Sequence, residues 1–190
     1  MDDVVAAAVR VADQDGLDSL TLTLVANELG IKTPSLYNHV EGLPGLRRLI
    51  TLHAAGVFTG IVTEALDGLE GADALRSLAR ADRRFAQEHP GLYQSFLPAP
   101  RPGEDDEVYD AMAEPVYLIA HVLLDMGIPQ SEAVHLIRAL RSLIHGFLDL
   151  EAKRGFGLPV EIEESYSAAV ELIITGIEAA ADRNSDERQP

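Results

Sequence analysis

The stretch Thr21-Leu-Thr-Leu-Val-Ala-Asn-Glu-Leu-Gly-Ile-Lys-Thr-Pro-Ser-Leu-Tyr-Asn-His-Val40 decides how the head of this chain folds, because it reads as two short helices hinged at Gly30. Thr21 or Thr23 offers a side-chain oxygen to one of the amide protons left unpaired at a helix start. Val25, Ala26 and Leu29 then recur at helical spacing and give the first helix an apolar face. Gly30 stops it. A glycine just past the last apolar residue closes a helix end in the left-handed conformation, and Ile31 folds back on the last turn. Thr33-Pro34 announces the next helix: a threonine cap precedes a proline whose fixed φ and missing amide proton suit the first helical position.

Leu36 and Val40, four residues apart, point inward. At about 100° per residue, Pro34 and Asn38 fall on the opposite side, with Ser35 and Tyr37 on its shoulders. Asparagine pairs in bidentate fashion with adenine in the major groove, while Ser, Thr and Tyr hydroxyls and the His imidazole donate to phosphates or base edges. Between residues 31 and 40 stand Lys32 and no acid. Two short helices, the second with a polar and non-acidic outer face, are the pattern of a helix-turn-helix DNA reader.

These residues resemble the TetR family of bacterial transcriptional regulators. The resemblance covers about the first fifty residues, from a leading helix over Ala6-Ala-Ala-Val-Arg-Val-Ala-Asp-Gln-Asp-Gly-Leu-Asp-Ser-Leu20 to Leu29-Gly-Ile and the Leu36-Tyr-Asn-His-Val40 signature. It implies that Thr33, Pro34, Ser35 and Tyr37 touch DNA, that Tyr37 and His39 hold phosphates, and that Thr23 adds a contact. With Lys32 and Asn38 these form the candidate DNA-binding set. Where the family commonly places a phosphate-holding lysine at the start of its fourth helix, this chain has Leu43, and Arg47 and Arg48 are the candidates to replace it. The family also often carries a basic arm ahead of its first helix, whereas this chain opens Met1-Asp-Asp.

Composition bounds the remainder. The 190 residues are 47% hydrophobic and contain neither cysteine nor tryptophan, which excludes disulfides, thiolate metal sites and sensing by cysteine oxidation. The net charge of -16 has the wrong sign for a partner of polyphosphate. Residues 1–50 hold four basic and seven acidic side chains, a balance of -3, so the remaining -13 lies beyond them. No apolar run approaches the roughly 20 residues of a membrane span, and the acidic start excludes a secretory signal. A cytoplasmic protein without a membrane partner is expected.

Past residue 50 the pattern is helical throughout. Helices are expected over 44–66, 72–88, 105–126, 131–153 and 161–182, the second ended by His89-Pro90-Gly91, with a proline-rich loop over 97–103. The expected fold is all-α: a three-helix DNA-binding head over 1–45, joined by a long helix to a helical effector-binding and dimerisation domain over 46–185, and a frayed tail over 186–190.

The last two helices are apolar on more than one side. In the first, Leu136, Leu140, Leu143, Phe147 and Leu150 form one row, and Ala133, Ile137, Ile144 and Leu148 another. In the second, Ile162, Tyr166, Ala169, Val170, Ile173 and Ile177 align with small Gly176 and Ala180. One row faces the core and the other a second subunit, and the resemblance implies pairing through these helices as a four-helix bundle. Leu136, Leu140, Leu143, Phe147, Ile173 and Ile177 are the interface candidates. The C-terminal half also resembles the TetR effector domain named for a Trp-His-Gly motif, through His89-Pro-Gly-Leu-Tyr93, Arg141-Ser-Leu-Ile-His145-Gly-Phe-Leu-Asp-Leu-Glu151 and Gly155-Phe-Gly-Leu-Pro159, with the tryptophan missing.

Tyr93, Phe96, Met112, Tyr117, His121, Arg138 and His145 set polar or amphipathic groups among apolar neighbours, as a small-molecule pocket requires. The six histidines include no pair at the i, i+3 or i, i+4 spacing of helical metal ligands. No P-loop, dinucleotide fingerprint or nucleophile elbow is present, so no metal, cofactor or catalysis is expected. The reading is a ligand-responsive repressor that binds a palindromic operator as a homodimer and answers to a small-molecule effector. The alternative is an acidic helical dimer that binds an effector or a protein and whose DNA-binding head is weakened.

Overall fold

The computed structural model describes residues 2–186. α1 (Asp2–Asp15) buries Val4, Val5, Ala7, Ala8, Val11 and Ala12 along one side and is followed by a single 3-10 turn, Leu17–Ser19. α2 (Leu22–Glu28) and the four-residue α3 (Thr33–Leu36) complete the head. α4 (Gly42–Leu66), α5 (Gly71–Glu88), α6 (Pro90–Ser95), α7 (Asp106–Asp125), α8 (Gln130–Ala152) and α9 (Ile162–Asp186) follow, and among the described residues there is no strand. The chain is all-α, as its periodicity requires.

The expected helix boundaries over 44–66, 72–88, 105–126 and 131–153 fall within two residues of those found, while α9 runs on past 182 to Asp186. Two elements differ in kind. The first helix stops at Asp15 because Gly16 takes a positive φ of 85°, which leaves the next residues to a tighter turn. His89-Pro90-Gly91 does not merely end α5. It starts α6, with Pro90 at a first-turn position where a missing amide proton costs nothing. Of the tail expected over 186–190, Asp186 belongs to α9 and 187–190 lie outside the described residues.

α4 carries only Glu64 as a charged residue between Leu49 and Leu66. By length and composition it is apolar enough to cross a membrane, as a core helix of a soluble protein also is, which departs from the expectation that no apolar run approaches that length.

The chain forms two compact units. One is the chain up to Gly60 together with Phe85–Glu114; the other is Ile61–Arg84 together with the residues from Pro115 on. The division falls within α4, α5 and α7. In the first unit, Leu20, Val25, Ala26, Leu36, Val40, Leu46 and Ile50 are buried with the α1 row, and the rings of Phe58, Phe85, Tyr93 and Phe96 form a second cluster, with centroids 4.9 Å apart for Phe58 and Phe96. In the second unit, Leu75, Leu78 and Ala79 of α5, Ile137, Leu140, Ile144 and Leu148 of α8, and Tyr166, Val170, Ile174 and Ile177 of α9 are buried.

Candidate nucleic-acid interface

The turn between α2 and α3 is built from backbone hydrogen bonds. Thr21, rather than Thr23, caps α2: its Oγ1 accepts from the Leu24 amide at 3.2 Å. At the other end the Gly30 amide donates to the Asn27 carbonyl and the Ile31 amide to the Ala26 carbonyl, both at 3.0 Å, with Gly30 at φ 67°. This is a Schellman closure, which satisfies the last carbonyls and lets the chain reverse in a few residues. Arg10 of α1 reaches Glu28 of α2 at 2.7 Å on the surface.

α3 begins one residue earlier than the Thr33 cap predicts. Lys32 is the cap residue and Thr33 is already helical, so the Thr33 side chain takes no capping bond. Beyond Leu36 the chain tightens: the Leu36 carbonyl accepts from both His39, at 2.8 Å, and Val40, at 3.0 Å. Leu36 and Val40 are buried at 0% and 5% exposure and pin this segment to the head. The face opposite them is open. Thr23, Lys32, Pro34, Ser35, Asn38 and His39 are exposed, Thr33 is half-buried, and Tyr37 is 63% exposed. The expected DNA-binding residues of the second helix thus share one surface, with hydroxyls, an amide, an imidazole and one ammonium displayed on a short rigid segment.

The two arginines expected to stand in for the missing lysine are otherwise engaged. Arg48 makes a fork to Asp105, with Nε at 2.5 Å and Nη2 at 3.0 Å, and Nη2 also reaches Glu107 at 2.6 Å. That bond holds the Asp105 carboxyl below the usual carboxylate range. Arg47 turns back and donates to the Leu17 carbonyl at 3.3 Å. Sequence spacing put both near the phosphate position; the acidic start of α7 and the Leu17 carbonyl, which also accepts from the Leu20 amide, claim them.

The head is also fastened to α6. Asp13 Oδ1 accepts from the amides of Gly91, at 2.8 Å, and Leu92, at 3.1 Å, and its Oδ2 lies 3.2 Å from His89 Nδ1. Gly91 sits so close to the Ala12 carbonyl that a Cβ would overlap it. Asp13 was not singled out from sequence, since an acid near a helix end ordinarily reads as solvated.

A family model described as tetracyclin repressor-like, C-terminal domain, matches residues 75–173. Over 175 residues, 92% of this chain and 90% of the other, the sequence is 31% identical to an uncharacterized HTH-type transcriptional regulator, YobS, of Bacillus subtilis (strain 168).

The chain belongs to the TetR family of transcriptional regulators.

This TetR-family chain is a DNA-binding transcriptional regulator. It is also 33% identical over 164 residues, 83% of this chain and 57% of the other, to the HTH-type transcriptional repressor DrrR1 of Streptomyces coeruleorubidus. Its fold is similar to that of a TetR variant from Acinetobacter baumannii AYE in complex with minocycline, with a TM-score of 0.70 at 21% identity, covering 93% of this chain and 94% of that one.

In the C-terminal part of this regulator the expected pocket residues belong to both units. Tyr93, Phe96 and Met112 are buried in the first unit, at 9%, 7% and 6% exposure. Tyr117, His121 and Arg138 are exposed and His145 half-buried in the second. Tyr117 and His121 share the outer face of α7 because Val108, Met112 and Leu123 take the inner one; a helix of mixed polarity does not reveal which row turns inward.

The same ambiguity affects the subunit-interface set. Leu136, Leu143, Phe147 and Ile173 are half-buried in the protomer, but Leu140 and Ile177 lie in its own core at 3% and 1% exposure. Those two serve the protomer itself. Leu172, one position from Ile173, is instead 76% exposed on α9.

The polar residues that the sequence reading missed are Asp82 and Arg83 on α5, both buried. Arg83 donates to Glu151 through Nε at 3.1 Å and Nη2 at 2.7 Å, donates to Glu163 through Nη1, and lies 4.9 Å from the centre of the Tyr166 ring. A signal was available. Asp82 occupies the apolar stripe of α5, in step with Leu75, Leu78 and Phe85.

Proposed function

We propose that this chain is a ligand-responsive repressor that binds a palindromic operator as a homodimer, with a head over 1–45 and an effector-binding and dimerisation part over 46–185. The observation that carries the reading is the open polar face over Lys32–His39, set on a helix anchored by buried Leu36 and Val40. Ser35, Tyr37 and Asn38 face the groove, Tyr37 and His39 hold phosphates, and Thr23, Lys32, Thr33 and Pro34 complete the footprint. Repression is supported by the named repressor among the relatives, and a cytoplasmic location by the family.

Leu136, Leu143, Phe147 and Ile173, with exposed Leu172, form the proposed pairing surface of α8 and α9. A dimer presents two heads to half-sites of fixed spacing, so an effector that alters their separation weakens operator binding. The grip of Asp13 on the start of α6 ties α1 to any displacement of that helix.

The test combines sizing and footprinting. Wild type is expected to run as a dimer by light scattering and to protect a two-fold symmetric site in its own upstream region, and Leu172→Glu to give a monomer that no longer protects it. A wild-type monomer at micromolar concentration with full protection rejects the paired-operator model. Release of the operator by a small molecule or cell extract is the matching test of ligand response.

A further inference from the structure

Asp82 is a buried carboxylate with one oxygen, Oδ1, that no donor of the chain reaches. Its residue exposure is 9%, and Oδ1 has no hydrogen-bond partner. The obvious donors nearby are committed elsewhere. Arg83 is held by Glu151 and Glu163, and the Tyr166 hydroxyl donates to the Ala79 carbonyl at 2.7 Å. Arg141 on α8 acts on Asp82 through charge, opposing the burial that pushes its carboxyl up to about 7. Tyr166 also packs edge-on against Phe147, with ring centres 5.1 Å apart, and Phe147 lies 4.7 Å from Phe156. Arg83, Arg141, Glu151, Phe147, Phe156 and Tyr166 all belong to the second unit.

An unsatisfied buried acceptor is rare in folded proteins and calls for a reason. In its ionised form the carboxyl can only accept, so whatever completes it must bring an N–H or O–H. A cation supplies both the missing donor and the missing charge, a neutral amide supplies the donor alone, and an anion is repelled.

We propose that Asp82 is the polar anchor of the effector site and that the effector is a lipophilic amine whose ammonium donates to Asp82 Oδ1 while its apolar body packs against the Tyr166 ring. This rests on the reading that the C-terminal part binds a small molecule. It adds the chemical class of that molecule and a residue that decides it.

The experiment is a binding and melting series on the full chain with three probes of one skeleton: 4-phenylbutylamine, its N-acetyl derivative and 4-phenylbutanoate. The amine is expected to stabilise wild type and to bind about tenfold or more tightly than the other two, as a charge-assisted bond in a dry site should. Asp82→Asn is expected to erase that preference, with Asp82→Ser as a second variant and circular dichroism to show that each is folded. Equal binding of the amide or the acid, or amine binding unchanged in both variants, overturns the anchor while leaving a ligand-binding half in place. Silence from all three probes overturns the amine assignment too. The effector reading itself falls only if, in addition, no compound or extract releases the protein from its operator.

Discussion

The reading face over Lys32–His39 keeps its polar groups in water, whereas the Asp82–Arg83 pair on α5 keeps them dry. Both are polar clusters on helices, but desolvation falls at different moments. On the head, in the proposed reading, it falls when DNA arrives, so the exposed Tyr37, Asn38 and His39 weigh little on folding and would act only in the complex. In the second unit it falls during folding, so each buried group needs its partner in the chain itself or from a ligand. Arg83 has two carboxylates. Asp82 has the charge of Arg141 but no hydrogen-bond partner at Oδ1.

Arg83→Met should have the largest effect on that contrast. It leaves Glu151 partly buried without its fork and is expected to cost about 3 to 5 kcal/mol of stability in denaturant unfolding, with the DNA-reading face untouched. A loss below about 1 kcal/mol would place Arg83 with the surface pairs, which contribute little.

Asp82→Asn should act in the opposite sense. The folded-state value near 7 lies above the ordinary 3.8, so between these limits the folded chain binds more protons than the unfolded one. Wild-type stability therefore falls as pH rises from about 4 to about 7. The gain from asparagine should reach about 2 to 3 kcal/mol above pH 7 and vanish below about pH 4, and melting curves at pH 4, 6 and 8 read it directly. A gain independent of pH would show that ionisation of Asp82 is not the cause.

On the head, Tyr37→Ala should weaken operator binding without changing the melting temperature, and Asn38→Ala should relax preference at one base position per half-site by about 1 to 2 kcal/mol. A footprint and base preference unchanged by both substitutions would remove α3 from the groove.

The smallest expected effect concerns the backbone contacts. With Arg48 held by Asp105 and Glu107 and Arg47 on the Leu17 carbonyl, few phosphates are neutralised. The log–log slope of affinity against salt should be shallow, roughly -3 to -5. Leu43→Lys should steepen it by about 1 to 2 for the dimer, and Asp105→Asn with Glu107→Gln by a similar amount if Arg48 is then released to a phosphate. These changes should strengthen operator and scrambled duplexes alike, since phosphates carry no sequence information. A steep wild-type slope in a salt titration would mean that the arginines leave their acids on DNA.

What the sequence alone determined was local. Thr21, Gly30, Pro34 and the Leu36–Val40 spacing specify the turn and its outer face, because caps, left-handed glycine and helical period act over a few residues and need no distant partner. The same locality explains the misses. Whether Arg48 meets a phosphate or Asp105, whether Asp13 caps α6 across 78 positions, and whether Leu140 and Ile177 turn to the core or to a partner depend on which helix packs where. Only the tertiary structure decided these, because a side chain's partner is set by three-dimensional neighbours and by competition for desolvation. Asp82 lies between the two cases: its place on an apolar stripe was legible, but its lack of a donor at Oδ1 was not, since that depended on Arg83 and Tyr166 being bound to Glu151, Glu163 and Ala79.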